Sequence, residues 1–297
     1  MSQTPNPAVL LDVARRAADA AAAAHREGRG RIDPADWGEK GRSDFVTEVD
    51  VEAERRIVEI IEAEFPDHTI LAEEGTGGNR SNSSGSGPDG AGREQGVRWI
   101  IDPLDGTTNW LHGYPEYAVS IAAEDGEGLV AGLVLNSAIG ERFEAWRGGG
   151  ATRDGTAIEV SGVGRLEHAL VGTGFPFKKL DMMEDYLASF ERVLRRTSGI
   201  RRAGAAALDL CDLACGRLDA FFEYWLMPWD VAAGALIVRE AGGIFEPLRV
   251  PALAGRRGDE RRERNPERLS PGGFLATNAE LAAHFRALVT DRPGDSS

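Results

Sequence analysis

An apolar run, VRWII at residues 97–101, ends in two aspartates three positions apart, Asp102 and Asp105. A short apolar run rich in β-branched and aromatic residues reads as a buried strand. Such a strand delivers Asp102 to the edge of a core. Two carboxylates this close repel each other unless a cation lies between them. Pro103 restricts the backbone, and Gly106 permits a tight approach. Thr107 and Thr108 read as the start of a helix whose amides and hydroxyls face an incoming anion. Oxygen-rich ligation of this kind suits magnesium. A plain surface turn is the bland reading of Asp-Pro-Leu-Asp-Gly, because these residues make turns widely. The apolar strand before it weighs against that reading.

Two further segments offer carboxylates at element ends. Residues 69–72 (TILA) read as a strand ending at Glu73-Glu74, and Trp229-Asp230 opens an Ala- and Gly-rich helix at 230–241. Taken singly, Glu73-Glu74 is a solvated strand end and Asp230 an N-cap. Their apolar surroundings make the combination harder to explain as loose surface loops. The remaining chain reads as helices at 8–26, 51–65, 183–196, 205–216 and 278–289, and strands at 117–123, 129–135, 141–146 and 219–223. Asp50 or Thr47 can cap the second helix. In 183–196, Leu187, Phe190 and Leu194 are spaced for one apolar face. Residues 75–96 are rich in Gly, Ser and Asn and read as a flexible insertion. Residues 249–272, Arg-rich with interleaved acids, read as an exposed insertion. Helices and strands alternate irregularly, with hairpins among them. This predicts a layered α+β fold and not a doubly wound parallel sheet.

The chain has 297 residues, enough for two lobes, expected at 1–150 and 151–297. Its formal net charge of −14 disfavours direct contact with nucleic acid or an anionic membrane. The same charge would repel a phosphorylated substrate unless bound cations neutralise it locally. No apolar run reaches the ~20 residues of a membrane helix, and the N-terminus lacks a secretory pattern, so a cytoplasmic location is expected. Cys211 and Cys215 read as small apolar residues on a helix. The five histidines are scattered and fit no triad, with His112 read as a supporting loop residue.

The motifs resemble those of the inositol monophosphatase family. Lys40, Asp44 and VTEVD at 46–50 are similar to its N-terminal motif, and Ala72-Glu73-Glu74 to its Gly-Glu-Glu segment. DPLDGTTNW at 102–110 is similar to its main metal-binding motif, and WDVAAG at 229–234 to its second. The resemblance implies a layered α-β-α-β-α sandwich, a homodimer, and two to three Mg2+ per subunit. It implies that Glu73, Asp102 and the Leu104 carbonyl hold one ion, and that Asp102, Asp105 and Asp230 hold a second. Thr107 with Glu73 would orient the attacking water, and the amides of Gly106 and Thr107 would receive the phosphate. Glu223 and the segment Gly204, Ala205, Ala206 would meet the hydroxyls of the alcohol. The implied activity is hydrolysis of a small polyol or sugar phosphate, with inositol 1-phosphate the leading substrate. Fructose 1,6-bisphosphatase or histidinol-phosphatase activity, or a protein-interaction role on the same fold, are the alternatives. Ala205 stands where family members often carry Ser or Thr, which removes a hydroxyl contact.

Overall fold

The computed structural model describes residues 5–29, 38–41, 44–75, 96–248 and 269–290. Helix α1 (Pro7–Gly28) starts with proline in its first turn, and the Asn6 side chain accepts the Ala8 N–H at 2.9 Å. A short antiparallel pair, β1 (Gly38–Gly41) and β2 (Asp44–Val46), leads into α2 (Glu48–Glu64). This helix begins three residues before the expected start because Thr47 is its cap. The Thr47 hydroxyl accepts from the N–H groups of Val49 and Asp50, and the Asp50 carboxylate accepts the Thr47 N–H.

Seven strands then form one sheet in sequence order. They are β3 (Thr69–Ala72), β4 (Arg98–Asp105), β5 (Ala118–Asp125), β6 (Gly128–Asn136), β7 (Glu141–Trp146), β8 (Gly150–Arg153) and β9 (Thr156–Ile158). β3 runs parallel to β4, and every other pair is antiparallel. Helix α3 (Thr107–His112) lies between β4 and β5. The second sheet contains β10 (Leu170–Thr173), β11 (Gly199–Arg201), β12 (Ala220–Leu226), β13 (Ile244–Pro247) and β14 (Gly272–Thr277), in the order β11-β10-β12-β14-β13. It too mixes parallel and antiparallel pairs. Its helices are α4 (Met183–Arg196), α5 (Ala206–Ala214), α6 (Pro228–Glu240) and α7 (Ala282–Thr290).

Side chains along β4 alternate between two cores, as the period of a strand requires. Trp99 and Ile101 pack against Leu10, Ala17 and Ala21 of α1 and Ile57 and Ile61 of α2. Ile100 faces the opposite way, into a core with Leu210 of α5 and Val231 and Leu236 of α6. The same central helices cover Phe221 and Phe274 of the second sheet. The outer face of that sheet, with Val171, Phe222 and Leu275, is closed by Tyr186 and Val193 of α4 and Phe285 and Val289 of α7. The layers run α-β-α-β-α, as expected.

Four local readings change. The strand at 97–101 continues to Asp105 through an irregularity between Asp102 and Asp105, where β4 spends one residue more than β5. Pro103, which has no N–H to give, occupies that break in the ladder. In α4 the buried residues are Tyr186, Ser189 and Val193, while Leu187 and Leu194 are exposed. The apolar face expected there is rotated, because Tyr186 hydrogen-bonds Thr173 and Ser189 hydrogen-bonds Tyr224 inside the core. The first sheet takes in residues through Ile158, somewhat beyond the 150/151 boundary expected from the sequence. Residues 76–95 and 249–268, most of the two expected insertions, lie outside the described residues, and Gly272 already belongs to β14.

Candidate active site

A cavity of about 540 Å3 opens where the two sheets and the central helices meet, and every site residue expected from the sequence lines it. Glu73 follows β3 directly, its N–H donating to the Ile101 carbonyl at 3.3 Å. The next N–H, of Glu74, donates to the buried Glu54 carboxylate of α2 at 2.6 Å, which ties this strand end to the helix. Asp102 and Leu104 lie in the break in β4, and Asp102 accepts the Leu104 N–H at 3.0 Å. Asp105 accepts the N–H of Ala207, in the first turn of α5, at 2.7 Å. Asp230 is not the N-cap of α6. Met227 holds that position, and Asp230 reaches back to accept its N–H at 2.7 Å.

Gly106 has φ +89°, and a Cβ there would lie 2.8 Å from the Glu116 carbonyl oxygen, so this corner needs glycine. Thr107 starts α3. Its hydroxyl is 3.0 Å from a carboxylate oxygen of Asp50 and 3.1 Å from the Leu104 carbonyl, and its single proton serves these two acceptors. On the far side, Gly204 (φ +99°), Ala205 and Ala206 lead into α5, and Glu223 projects from β12. Ala205 is buried and offers no hydroxyl, as its identity requires. His112 closes α3 and is not among the cavity-lining residues.

The carboxylates act on one another. Burial, then the charges of Glu73, Asp105 and Asp230, hold the Asp102 carboxyl well above the usual range. Burial and Asp230 push Asp105 up to about 7, against the N–H groups of Ala207 and Ala206. Burial and Asp230 push Glu223 up to about 8, with Arg202 opposing. Concentrated negative charge of this kind is relieved by cations. The donor set, carboxylates plus the Leu104 carbonyl, is the all-oxygen kind that hard divalent ions take. Among the described residues, no three His, Cys, Asp or Glu side chains are yet gathered closely enough to ligate one ion. The donor chemistry fits magnesium.

Several residues here were not singled out by the sequence as part of the site. Asp50 reads as a helix cap, and it is one, yet its other oxygen meets Thr107. The run VTEVD carried that signal. Asp209 is buried one turn into α5 and its carboxyl is raised by burial and by Glu223. His25 is buried beneath the acidic turn, and nothing in the sequence pointed to it. Its Nε2 donates to the Pro103 carbonyl at 2.9 Å, and its Nδ1 accepts from Ser137 at 3.0 Å. Lys40 and Asp44 lie in β1 and β2, and the Lys40 side chain is outside the described residues.

The chain matches the model of the Inositol monophosphatase family over residues 6–281. It is 46% identical over 283 residues to the Nus factor SuhB of Pseudomonas aeruginosa, covering 95% of this chain and 94% of that protein. Among solved structures, the extragenic suppressor protein SuhB from Bartonella henselae is similar at 34% identity. Its TM-score is 0.78, with 96% of this chain and 99% of that one covered. The inositol monophosphatase from Anabaena (Nostoc) sp. PCC 7120 is similar at 31% identity, with TM-score 0.75 and 96% of each chain covered. The family match spans both sheets and every segment that lines the acidic cavity, so the chain belongs to the inositol monophosphatase family.

Proposed function

We propose that the protein is a magnesium-dependent phosphomonoesterase acting on a small polyol or sugar phosphate, with inositol 1-phosphate as the leading substrate. The observation that carries this reading is the convergence of Glu73, Asp102, Asp105 and Asp230, from three separate segments, on one cavity beside the Thr107 hydroxyl. Glu73, Asp102 and the Leu104 carbonyl would hold one Mg2+, and Asp102, Asp105 and Asp230 a second, with Glu73 able to touch a third. Bound ions would supply activation of water and charge stabilisation of the departing oxygen. The protein's own part is positioning. Asp50 and the Leu104 carbonyl accept the Thr107 O–H, which leaves the hydroxyl oxygen free to accept from a water that Glu73 would also orient. The amides of Gly106 and Thr107 would receive the phosphate. Glu223 and the 204–206 segment would meet the alcohol, where Ala205 leaves one hydroxyl contact unmade. Fructose 1,6-bisphosphate and histidinol phosphate are alternative substrates on the same chemistry.

A second reading has its own support. Relatives at up to 46% identity carry the name Nus factor, which favours a regulatory role in association with a transcription complex. The names weigh more towards this role than towards any one substrate. The expected exclusion of nucleic acid rests on net charge alone, and it does not extend to protein partners that themselves handle nucleic acid. A homodimer and a cytoplasmic location are proposed from the family and its bacterial relatives. No helix among the described residues is long and apolar enough to cross a membrane.

The deciding experiment measures phosphate release from inositol 1-phosphate, glycerol 2-phosphate, fructose 1,6-bisphosphate and histidinol phosphate, with magnesium or with EDTA. It is run on the wild type and on Asp102→Asn. We expect magnesium-dependent release by the wild type and a loss of at least about a thousandfold in Asp102→Asn. No release from any ester by magnesium-loaded wild type would sink the phosphatase reading. Retention of transcription-complex proteins by both chains in a pull-down would then support the regulatory one.

A further inference from the structure

The ladder between β4 and β5 is interrupted between Asp102 and Asp105, so buried carbonyls in that stretch need partners from outside the sheet. The carbonyl of Pro103 finds one in His25, 78 positions earlier in the last turn of α1. A carbonyl can only accept, so the imidazole proton is on Nε2, and Nδ1 is left to accept the Ser137 hydroxyl. The backbone of His25 is fixed as well. Its own carbonyl is one of those a helix leaves open at its C-terminal end, and it accepts the indole N–H of Trp110 in α3 at 3.2 Å. His25, Ser137 and Trp110 are all buried.

The peptide unit that receives the imidazole N–H has a second end. The Pro103 carbonyl and the Leu104 N–H belong to one rigid plane and point in opposite directions. While the carbonyl accepts from His25 at 2.9 Å, the N–H donates to Asp102 at 3.0 Å. A line of hydrogen bonds therefore runs from the Ser137 hydroxyl through the imidazole and one peptide plane to the Asp102 carboxylate, each bond polarising the next. Turning that plane would break both of its bonds at once and release the carboxylate to rotate. We infer that His25, held by Ser137, is a positioning residue for the metal site: it fixes the peptide between Pro103 and Leu104, and through it the Asp102 carboxylate, and so strengthens magnesium binding. The inference rests on the assignment of Asp102 to both ions in the proposed function, and on no substrate.

The test is calorimetric titration of magnesium into the metal-free protein without substrate, with urea stability measured on the same samples. The wild type is compared with His25→Gln, whose amide keeps an N–H donor, and with His25→Leu, which has none. Ser137→Ala removes the hydroxyl that holds the ring, and Val193→Ala is a core variant in α4, outside the cavity lining. We expect His25→Leu to weaken magnesium binding at least about tenfold, and Ser137→Ala about threefold. His25→Gln should stay within about threefold of the wild type, because it can still donate to the Pro103 carbonyl. Val193→Ala should bind magnesium as the wild type does, although it is less stable. A purely structural histidine would instead make affinity follow stability across the whole set. Wild-type affinity in His25→Leu, or an equal loss in Val193→Ala, overturns the inference. Should His25→Leu fail to fold, wild-type affinity in Ser137→Ala overturns it. A wild type that binds no magnesium would remove the metal assignment itself, and the inference with it.

Discussion

Thr107 shows how much one side chain's meaning depends on its neighbours. From the sequence it is the first residue of a helix after a glycine. In the fold its hydroxyl is aimed by Asp50, a residue 57 positions earlier that also caps α2. His25 makes a comparable connection 78 positions long, to the Pro103 carbonyl inside the acidic turn. Burial lowers its pKa from 6.5 to about 4, so it is neutral in the fold. Between those values the unfolded chain takes up a proton that the folded chain refuses. The stabilisation from the neutral ring is therefore full above pH 6.5 and is lost as pH falls towards 4. In urea titrations, the stability advantage of wild type over His25→Gln should shrink by about 2 kcal/mol between pH 7 and pH 5. The buried carboxylates are common to both chains and cancel in the difference. An unchanged gap would mean that the ring is not the neutral strut described here.

Helix α4 carries the clearest mismatch between pattern and packing. Leu187, Phe190 and Leu194 have helical spacing, but so do Tyr186, Ser189 and Val193, and the second set is buried. The polar members of that set decide the face, since the hydroxyls of Tyr186 and Ser189 find partners only inside. Leu187→Gln should therefore change stability by less than about 0.5 kcal/mol. Val193→Ala should cost about 1.5 kcal/mol or more, at roughly 0.8 kcal/mol per buried methyl-sized group. Chemical denaturation of the two variants compares them directly, and a larger loss for Leu187→Gln would restore the face the sequence suggested. By contrast, the body of α2 and the apolar part of β4 were legible, though not the first turn of α2 or the last residues of β4. A Thr cap with an acid three residues on and an apolar run into an acidic turn are local signals, complete within a dozen residues.

The central helices α5 and α6 bind the two sheets into one body and form the rear of the cavity. The approach is close where Gly132 of β6 meets α6, since a Cβ there would lie 3.1 Å from the Ala233 carbonyl oxygen and 3.2 Å from its Cα. Gly132→Val should push the helix from the sheet and cost about 1–3 kcal/mol. Because Asp230 stands on that helix, the cost of the variant should be accompanied by weaker magnesium binding in calorimetry. A stability loss with unchanged metal affinity would show that the helix start does not follow its middle.

The layered class, the acidic turn, most of the helices and the residues expected at the cavity followed from local pattern and from the family resemblance, while most strands of the second sheet did not. Periodicity and turn chemistry are short-range, so a single chain displays them in full. Which charges share a cavity is different. Asp105 reaches the N–H of Ala207 across 102 positions, and Asp102 feels Glu73 and Asp230 only once three segments are brought together. Burial and Coulomb interaction depend on distance through space, and only tertiary structure sets that distance.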